Sequence, residues 1–160
     1  MPDSDILLAL DQSSRCTGYS VWKDGVLIDF GHFETTANDI GDRLDEFLQK
    51  LHRLVQEYQI NRIAFEEIQY QANIGNNVAT FKILAYVQAI IITFCTQSHI
   101  PYEIISPSAW RSKCGVKGRK REEQKQNAKI WVKEKFDKDS TTDEADSICL
   151  GFSALFSTYS

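Results

Sequence analysis

The 160-residue sequence contains few of the residues that mark unusual protein classes. It has 4 Cys, 3 Pro and 8 Gly, and 42% of its residues are hydrophobic. The cysteines are scattered, with no CxxC pair and no His at ligand spacing, which argues against a disulfide framework and against a zinc site. Repeats and low-complexity tracts are also missing. These features predict one domain over residues 1–160, with reduced thiols as in a cytosolic protein.

Signals for export and for membrane insertion are missing as well. The first five residues are acidic, where a signal peptide would carry basic residues. The longest apolar stretch, from Ile83 to Cys95, is interrupted by Gln88 and is shorter than a bilayer span. We therefore expect no membrane partner.

Positive charge is not in excess overall, but it is concentrated in one segment. The net charge is −4. From Arg111 to Lys138 there are 11 Lys and Arg against 4 Asp and Glu, a local balance of +7, and the rest of the chain has a balance of −11. A basic segment on an acidic body favours a polyanion bound beside a carboxylate site, although a solvated basic helix has the same composition.

The apolar pattern predicts strands and helices in the order βββ-α-β-α-β-α-α. The continuous apolar run Ile6–Leu10 is typical of a strand buried on both faces, and Asp24-Gly25 indicates a hairpin turn. The other predicted elements are strands at 19–22, 26–33, 61–68 and 101–105 and helices at 38–58, 78–96, 122–136 and 143–156. This order indicates an α/β fold with a mixed sheet and helices packed on it.

Acidic residues stand where predicted strands end and where the last helix begins. Asp11 ends the first strand, and Glu66 and Glu67 end the strand expected beside it. Asp143 and Asp146 are three residues apart and so share one face of the last helix. Because the carboxyl ends of neighbouring strands meet at one edge of a sheet, we expect these groups to converge. Clustered carboxylates without His or Cys favour Mg²⁺ or Mn²⁺.

Each acid also has a purely structural explanation. Asp11 and the two glutamates are acceptable at solvated strand ends. In the last helix, Thr141-Thr142-Asp143-Glu144 fits a capping box. However, both aspartates lie on the side of Leu150 and Ala154, and the apolar character of those two residues predicts that this side faces inward.

Three sequence blocks, in order, resemble the RuvC family of Holliday junction resolvases over almost the whole chain. They are Leu8-Ala9-Leu10-Asp11-Gln12-Ser13 through Thr17-Gly18-Tyr19, then Ile63-Ala64-Phe65-Glu66, then Asp143-Glu144-Ala145-Asp146. The resemblance implies an α/β, RNase H-like fold with a mixed five-stranded sheet flanked by helices. It also implies a homodimer that cleaves four-way and related branched DNA junctions by paired nicks.

The resemblance assigns site residues by position. The metal ligands would be Asp11, Glu66, Asp143 and Asp146, holding two Mg²⁺ ions per active site, with Mn²⁺ as a substitute. Lys125, in line with the apolar stripe of its helix, would stabilise charge in the transition state. The residues expected to contact DNA are Arg111, Lys113, Lys117, Arg119, Lys120, Arg121 and Tyr70.

The chain departs from the family pattern in three places. Glu67 stands where well-known bacterial members often have Gln, so it either adds charge or lies outside the metal shell. The basic loop from Lys117 to Arg121 is longer than in common bacterial members and more like the phage versions, which would place the protein in the cytoplasm of a bacterial host. Gln69 holds the position of the family's wedge aromatic, and Tyr70 is the nearest aromatic, so a strict sequence preference does not follow.

Several alternatives remain open from the sequence alone. The helix from Val78 to Thr96 is apolar on nearly all sides, so it is either buried within one chain or paired in a two-fold dimer. An inactive or structural junction-binding protein is another alternative, although the full set of acids argues against it, and a general RNase H-type nuclease is possible. Finally, Asp11 through Gly18 loosely resembles a phosphate-binding hairpin of actin-like ATPases and kinases, but those proteins need two such domains to enclose a nucleotide and this chain has the length for one.

Overall fold

The computed structural model describes residues 3–69 and 77–156. The strands in these residues are β1 (Ile6–Asp11), β2 (Cys16–Lys23), β3 (Val26–Glu34), β4 (Arg62–Glu66) and β5 (Tyr102–Ile105). The helices are α1 (Ile40–Tyr58), α2 (Asn77–Gln97), α3 (Pro107–Cys114), α4 (Arg121–Phe136) and α5 (Thr142–Ala154). Every predicted element is present, and α3 is an addition.

The strands form one mixed sheet in the order β3-β2-β1-β4-β5. β1, β2 and β3 are antiparallel neighbours, whereas β4 and β5 extend the sheet in parallel from β1. The turn between β2 and β3 is at Asp24 and Gly25, whose φ angles are 50° and 82°. Two positive φ angles are what a tight type I′ hairpin turn requires. The predicted α/β class with a mixed five-stranded sheet is therefore confirmed.

Helices cover both faces of the sheet. Along β1, Leu8 and Leu10 belong to the core shared with α1 and α2, whereas Leu7 and Ala9 belong to the core shared with α3, α4 and α5. All four are fully buried, as predicted for a central strand. Because side chains alternate along a strand, Asp11 belongs to the same face as Leu7 and Ala9. That face is the one covered by α5.

α5 lies against β2 and β1 over nearly its whole length. Leu150 and Ala154 are fully buried, as their apolar character predicted. Gly151 allows the close approach, because a Cβ at this position would lie 2.1 Å from Nε1 of Trp22. The tight packing fixes the height of α5 above the sheet, and with it the position of the acids in the first turns of the helix.

α2 leaves much of its apolar surface uncovered. Val87 and Ile91 are fully buried in the core on the α1 side, but Val78 and Tyr86 are 59% and 43% exposed. The fold therefore does not bury α2 completely within one chain, which was one of the two explanations for its apolar sequence.

α2 agrees with the predicted helix at 78–96 and has one more residue at each end. It extends beyond the apolar stretch Ile83–Cys95 at both ends. By length and composition alone, Val78–Gln97 is apolar enough to cross a membrane, so the expectation that no segment reaches this length was wrong. One face of α2 packs on the sheet, which accounts for part of its apolar surface.

α3 is the element that the sequence pattern did not predict. Its signals are nonetheless present: Ser106 is a side-chain N-cap, Pro107 occupies the first turn, and Gly115 ends the helix with a φ of 72°. Eight residues are too short to show a clear apolar period, so the hydrophobic pattern does not predict this helix. α3 is important because it brings Trp110 to the site described next.

Candidate active site

The ends of β1 and β4 place two carboxylates at adjacent positions. Leu10 pairs with Phe65 in the parallel register, so Asp11 and Glu66 follow side by side. Both belong to the α5 face of the sheet, since side chains alternate along each strand. The predicted convergence of the first two acids is therefore a direct result of strand register.

The start of α5 supplies two more acids without using them as caps. The capping box is present as predicted: Thr141 Oγ1 accepts from Glu144 N at 3.2 Å, and Glu144 Oε1 accepts from Thr141 N at 2.9 Å. Because Glu144 fills the capping role, Asp143 and Asp146 are left for other contacts. The capping explanation therefore holds for Thr141 and Glu144, and the inward orientation holds for Asp143 and Asp146.

Gly18 allows the start of α5 to lie directly on the sheet. It pairs with Asp11 in the β1–β2 ladder. A Cβ on Gly18 would lie 2.0 Å from the backbone oxygen of Asp143, an impossible contact. Because Gly18 has no side chain, the backbone of Asp143 can lie on the sheet beside Asp11.

The four predicted metal ligands line one cavity of about 690 Å³. Basic side chains form another part of its wall, namely Arg15, Arg111, Arg119, Arg121 and Lys125. Acids from three separate segments of the chain thus meet cations from α3, from α4 and from the connections around them. The structure brings Asp11, Glu66, Asp143 and Asp146 together, and their role as metal ligands remains a prediction.

Burial raises the pKa of three of these carboxyls, those of Asp11, Glu66 and Asp146, and repulsion between the acids adds to the effect for Asp11 and Asp146. Burial raises the pKa of Asp11 well above its usual value, and the charges of Glu66 and Asp146 raise it further. Burial, followed by repulsion from Glu66, raises the pKa of Asp146 to about 7. The ammonium of Lys125 lowers both pKa values but does not cancel these effects. The acids therefore lack countercharge, which a divalent cation would supply.

An unpaired oxygen also fits a cation at this site. Oδ1 of Asp146 is buried and has no hydrogen-bond partner among the described residues. A buried polar atom without a partner is costly, and carboxylate oxygens are the ligands that Mg²⁺ and Mn²⁺ prefer. Within residues 3–69 and 77–156, no three His, Cys, Asp or Glu side chains already enclose a metal position. Carboxylates that repel one another are expected to stand apart until a cation draws them in.

Three further residues contact these acids, and the sequence did not predict them as site residues. Trp110 Nε1 donates to Glu66 Oε2 at 2.9 Å. The side-chain amide of Gln12 exchanges two hydrogen bonds with the backbone of Glu66, at 2.6 and 3.0 Å. Burial and a hydrogen bond with Asp143 raise the pKa of Cys16 to about 12, so Cys16 is a neutral thiol. These contacts join residues that are far apart in sequence, and no local motif signals them.

Three of the predicted DNA-contacting residues line the cavity: Arg111, Arg119 and Arg121. The guanidinium of Arg111 lies over the Trp110 ring at 5.2 Å, and its Nε is buried without a hydrogen-bond partner among the described residues. Arg15, which the sequence did not single out, lies at the same wall. The cavity therefore offers cations to an anion that enters it.

The other predicted DNA-contacting residues lie elsewhere. Lys117 and Lys120 are exposed on the connection between α3 and α4. Lys113 places its ammonium 5.1 Å from the centre of the Phe156 ring, outside the cavity. Tyr70 lies outside the described residues. Contacts of these four residues with DNA remain predictions.

Glu67 and Lys125 differ in how far they enter the site. Glu67 is exposed at the cavity edge, where its Oε1 accepts from Gln88 Nε2 of α2 at 3.2 Å. Lys125 is half-buried and close enough to Asp11 and Asp146 to lower the pKa of both. The placement of Lys125 agrees with its predicted position near an anion.

Known proteins share this fold. RuvC of Thermus thermophilus in complex with a Holliday junction substrate is 11% identical, over 94% of this chain and 93% of that one, with a TM-score of 0.75. The Fowlpox virus resolvase, in complex with substrate Holliday junction DNA, is 14% identical over 95% and 99%, with a TM-score of 0.66. The yeast mitochondrial Holliday junction resolvase is 13% identical over 93% and 77%, with a TM-score of 0.62.

At such low identity these structures show a common fold and nothing finer. The family assignment comes from a sequence model, described as crossover junction endodeoxyribonuclease RuvC, which matches residues 7–153. The match includes all three sequence blocks and all four predicted metal ligands. The chain belongs to the RuvC family of crossover junction endodeoxyribonucleases, as its sequence blocks indicated.

Proposed function

We propose that this protein is a metal-dependent endonuclease that resolves four-way DNA junctions and related branched DNA by paired nicks. One observation carries the proposal: Asp11, Glu66, Asp143 and Asp146 line a single cavity that has a basic wall. Family membership supports a junction-resolving nuclease. Metal dependence and the hydrolytic mechanism rest on the chemistry of the cavity.

The acids are assigned to two Mg²⁺ ions, for which Mn²⁺ would substitute. Asp11 has Glu66 on one side in the sheet and Gly18, beneath the start of α5, on the other. From this central position, Asp11 would hold the ions together with Glu66 and the two α5 aspartates. When bound, Mg²⁺ neutralises the acids and supplies Lewis-acid polarisation of the scissile phosphate.

Basic residues of the chain would bind and stabilise the phosphate. Lys125 is the cation close to Asp11 and Asp146, so it would donate to a phosphate oxygen and stabilise the negative charge that develops there. Arg111 and Arg121 would hold neighbouring phosphates and set the position of the DNA strand. In hydrolysis, the oxygen of a water molecule would bond to phosphorus as the bond between phosphorus and the 3′ oxygen breaks, and the 3′ oxygen would take up a proton. The products would be a 5′ phosphate and a 3′ hydroxyl, a nick that can be ligated.

Cleavage of four end-labelled substrates in Mg²⁺ tests the proposed function. The substrates are a four-way junction, a flap, a linear duplex and an RNA–DNA hybrid. We expect the junction to be cut fastest, by nicks at symmetric positions in two strands, and binding to weaken steeply with salt as counterions are released. Preference for the hybrid would instead indicate a general RNase H, and binding without any cleavage would indicate a structural junction-binding protein.

We also propose that the protein is a homodimer, paired through the uncovered face of α2. Apolar side chains at Val78 and Tyr86 are exposed in the single chain. A two-fold dimer would cover them and would place two active sites around a junction that is itself nearly two-fold symmetric.

A charge on the α2 face is expected to separate the dimer. Tyr86→Glu would bury an unpaired carboxylate in the interface, so sedimentation at micromolar concentration should show a monomer. Ile130→Glu, at a 54% exposed apolar residue of α4, is the control and should leave the dimer intact. Wild-type protein that sediments only as a monomer, with full cleavage activity, would exclude the dimer.

A further inference from the structure

One carboxylate oxygen of Glu66 is already committed to a hydrogen bond with a buried side chain. Its Oε2 accepts the indole N–H of Trp110 at 2.9 Å. Trp110 is 1% exposed and belongs to the core that includes the buried residues of α5, so its ring has little freedom to turn. The indole therefore fixes one end of the carboxylate and leaves Oε1 as the oxygen for a cation.

The backbone of Glu66 is fixed as well, by a side chain that acts like an extra strand residue. The pairing between β1 and β4 ends at Leu10 and Phe65. Just beyond it, Gln12 Nε2 donates to Glu66 O at 2.6 Å, and Gln12 Oε1 accepts from Glu66 N at 3.0 Å. Gln12 is 7% exposed. Its amide thus continues the ladder at the point where β1 ends and ties Glu66 to the residue after Asp11.

We propose that Trp110 and Gln12 are positioning residues that hold Glu66 as a one-oxygen ligand at a fixed distance from Asp11. Gln12 sets the backbone of Glu66, and Trp110 sets the rotation of its carboxylate. The inference rests on the proposed function, since it gives Glu66 a metal to bind. It adds two residues that contact neither the metal nor DNA but determine how a ligand is presented.

The physical reason for such a brace is that a glutamate side chain has three rotatable bonds. A strand-end glutamate in a wide cavity would otherwise sample several rotamers and lose entropy on binding a cation. Partners that orient a ligand are worth about 10- to 100-fold in metal affinity or activity. We therefore expect the brace to act on metal affinity and to leave junction binding without metal unchanged.

Trp110→Phe, compared with Trp131→Phe, tests the inference. Trp131 packs against the same core, with edge-on ring contacts to Phe136 and Phe152, but it does not line the cavity. Both substitutions remove one ring from this core, so both should lower the melting temperature. Mn²⁺ titration by calorimetry without DNA should show about tenfold weaker binding for Trp110→Phe and wild-type binding for Trp131→Phe.

A second variant keeps the test decisive if Trp110→Phe does not fold. Gln12→Met keeps the length of the side chain but loses both hydrogen bonds to Glu66, and it too should weaken Mn²⁺ binding while metal-free junction binding stays intact. Wild-type binding by Gln12→Met, or equal Mn²⁺ affinity of the two tryptophan variants, would overturn the inference alone. Wild-type protein that binds no Mn²⁺ would overturn the proposed function and the inference together.

Discussion

Asp146→Asn is expected to slow junction cleavage by about 1,000-fold while the fold and junction binding persist. Loss of one charged ligand removes on the order of 4 kcal/mol of transition-state stabilisation, which corresponds to that factor. The substitution keeps the shape of the side chain. It also removes a buried negative charge whose Oδ1 is unpaired among the described residues, so the metal-free variant should melt no lower than wild type.

The matched control for this substitution is Asp139→Asn. Asp139 has a 93% exposed side chain, lies 3.5 Å from Lys133 and is remote from the cavity. It should cleave like wild type, which separates loss of a site ligand from loss of one negative charge. Substantial Mg²⁺-dependent nicking by a clean preparation of Asp146→Asn would refute the assigned role of Asp146.

Without divalent metal, the protein is expected to lose thermal stability as the pH rises from about 5 to about 8. In an unfolded chain an aspartate ionises near pH 4, whereas burial and then repulsion from Glu66 raise the pKa of Asp146 to about 7 in the fold. The folded state therefore binds more protons within this window, and its free energy of unfolding falls as the pH rises. A loss of about 2 kcal/mol would lower the melting temperature by about 4–8 °C.

Mg²⁺ should oppose this loss, and more strongly at high pH. The cation binds ionised carboxylates, so its stabilising effect grows as Asp11 and Asp146 lose their protons. Thermal unfolding at several pH values, with and without Mg²⁺, measures both effects, and Asp146→Asn should flatten the metal-free profile. A metal-free melting temperature that rises over this pH range would contradict the raised pKa of these acids.

The central layout of the site could be predicted because it depends on short-range patterns. Ile6–Leu10 marks a buried strand with Asp11 at its end. Because side chains alternate along a strand, the residues before Asp11 determine the face of the sheet on which it lies. Likewise, Leu150 and Ala154 indicated which side of the last helix faces inward, and both are fully buried. These patterns are sufficient to assign the acids to one edge of the sheet.

The residues that hold those acids in place could not be predicted, because their partners are distant in sequence. Gln12 meets the backbone of Glu66 only through the β1–β4 register, and Trp110 reaches the same residue from α3. A buried tryptophan is most simply explained as core, and its N–H donor gains meaning only once its acceptor is known. Gly18 is similar, since the need for glycine comes from the backbone of Asp143.

Composition was the least reliable guide to which residues are exposed on the surface of the single chain and which line the cavity. The sequence predicted an apolar helix at 78–96, but which of its side chains are left uncovered became visible only in the fold. The basic segment behaved in a similar way: Arg119 and Arg121 line the cavity, whereas Lys113 packs against Phe156. Charge balance alone does not separate residues that line a site from residues that cover the body.

The most direct measurement of the central claim is an anomalous difference map from crystals of the wild-type protein soaked in Mn²⁺. The account predicts density among Asp11, Glu66 and the two aspartates of α5, with Oε1 of Glu66 and Oδ1 of Asp146 turned towards it. A cavity free of Mn²⁺ at saturating concentration, with the same acids bound to Lys125 and the arginines instead, would contradict it.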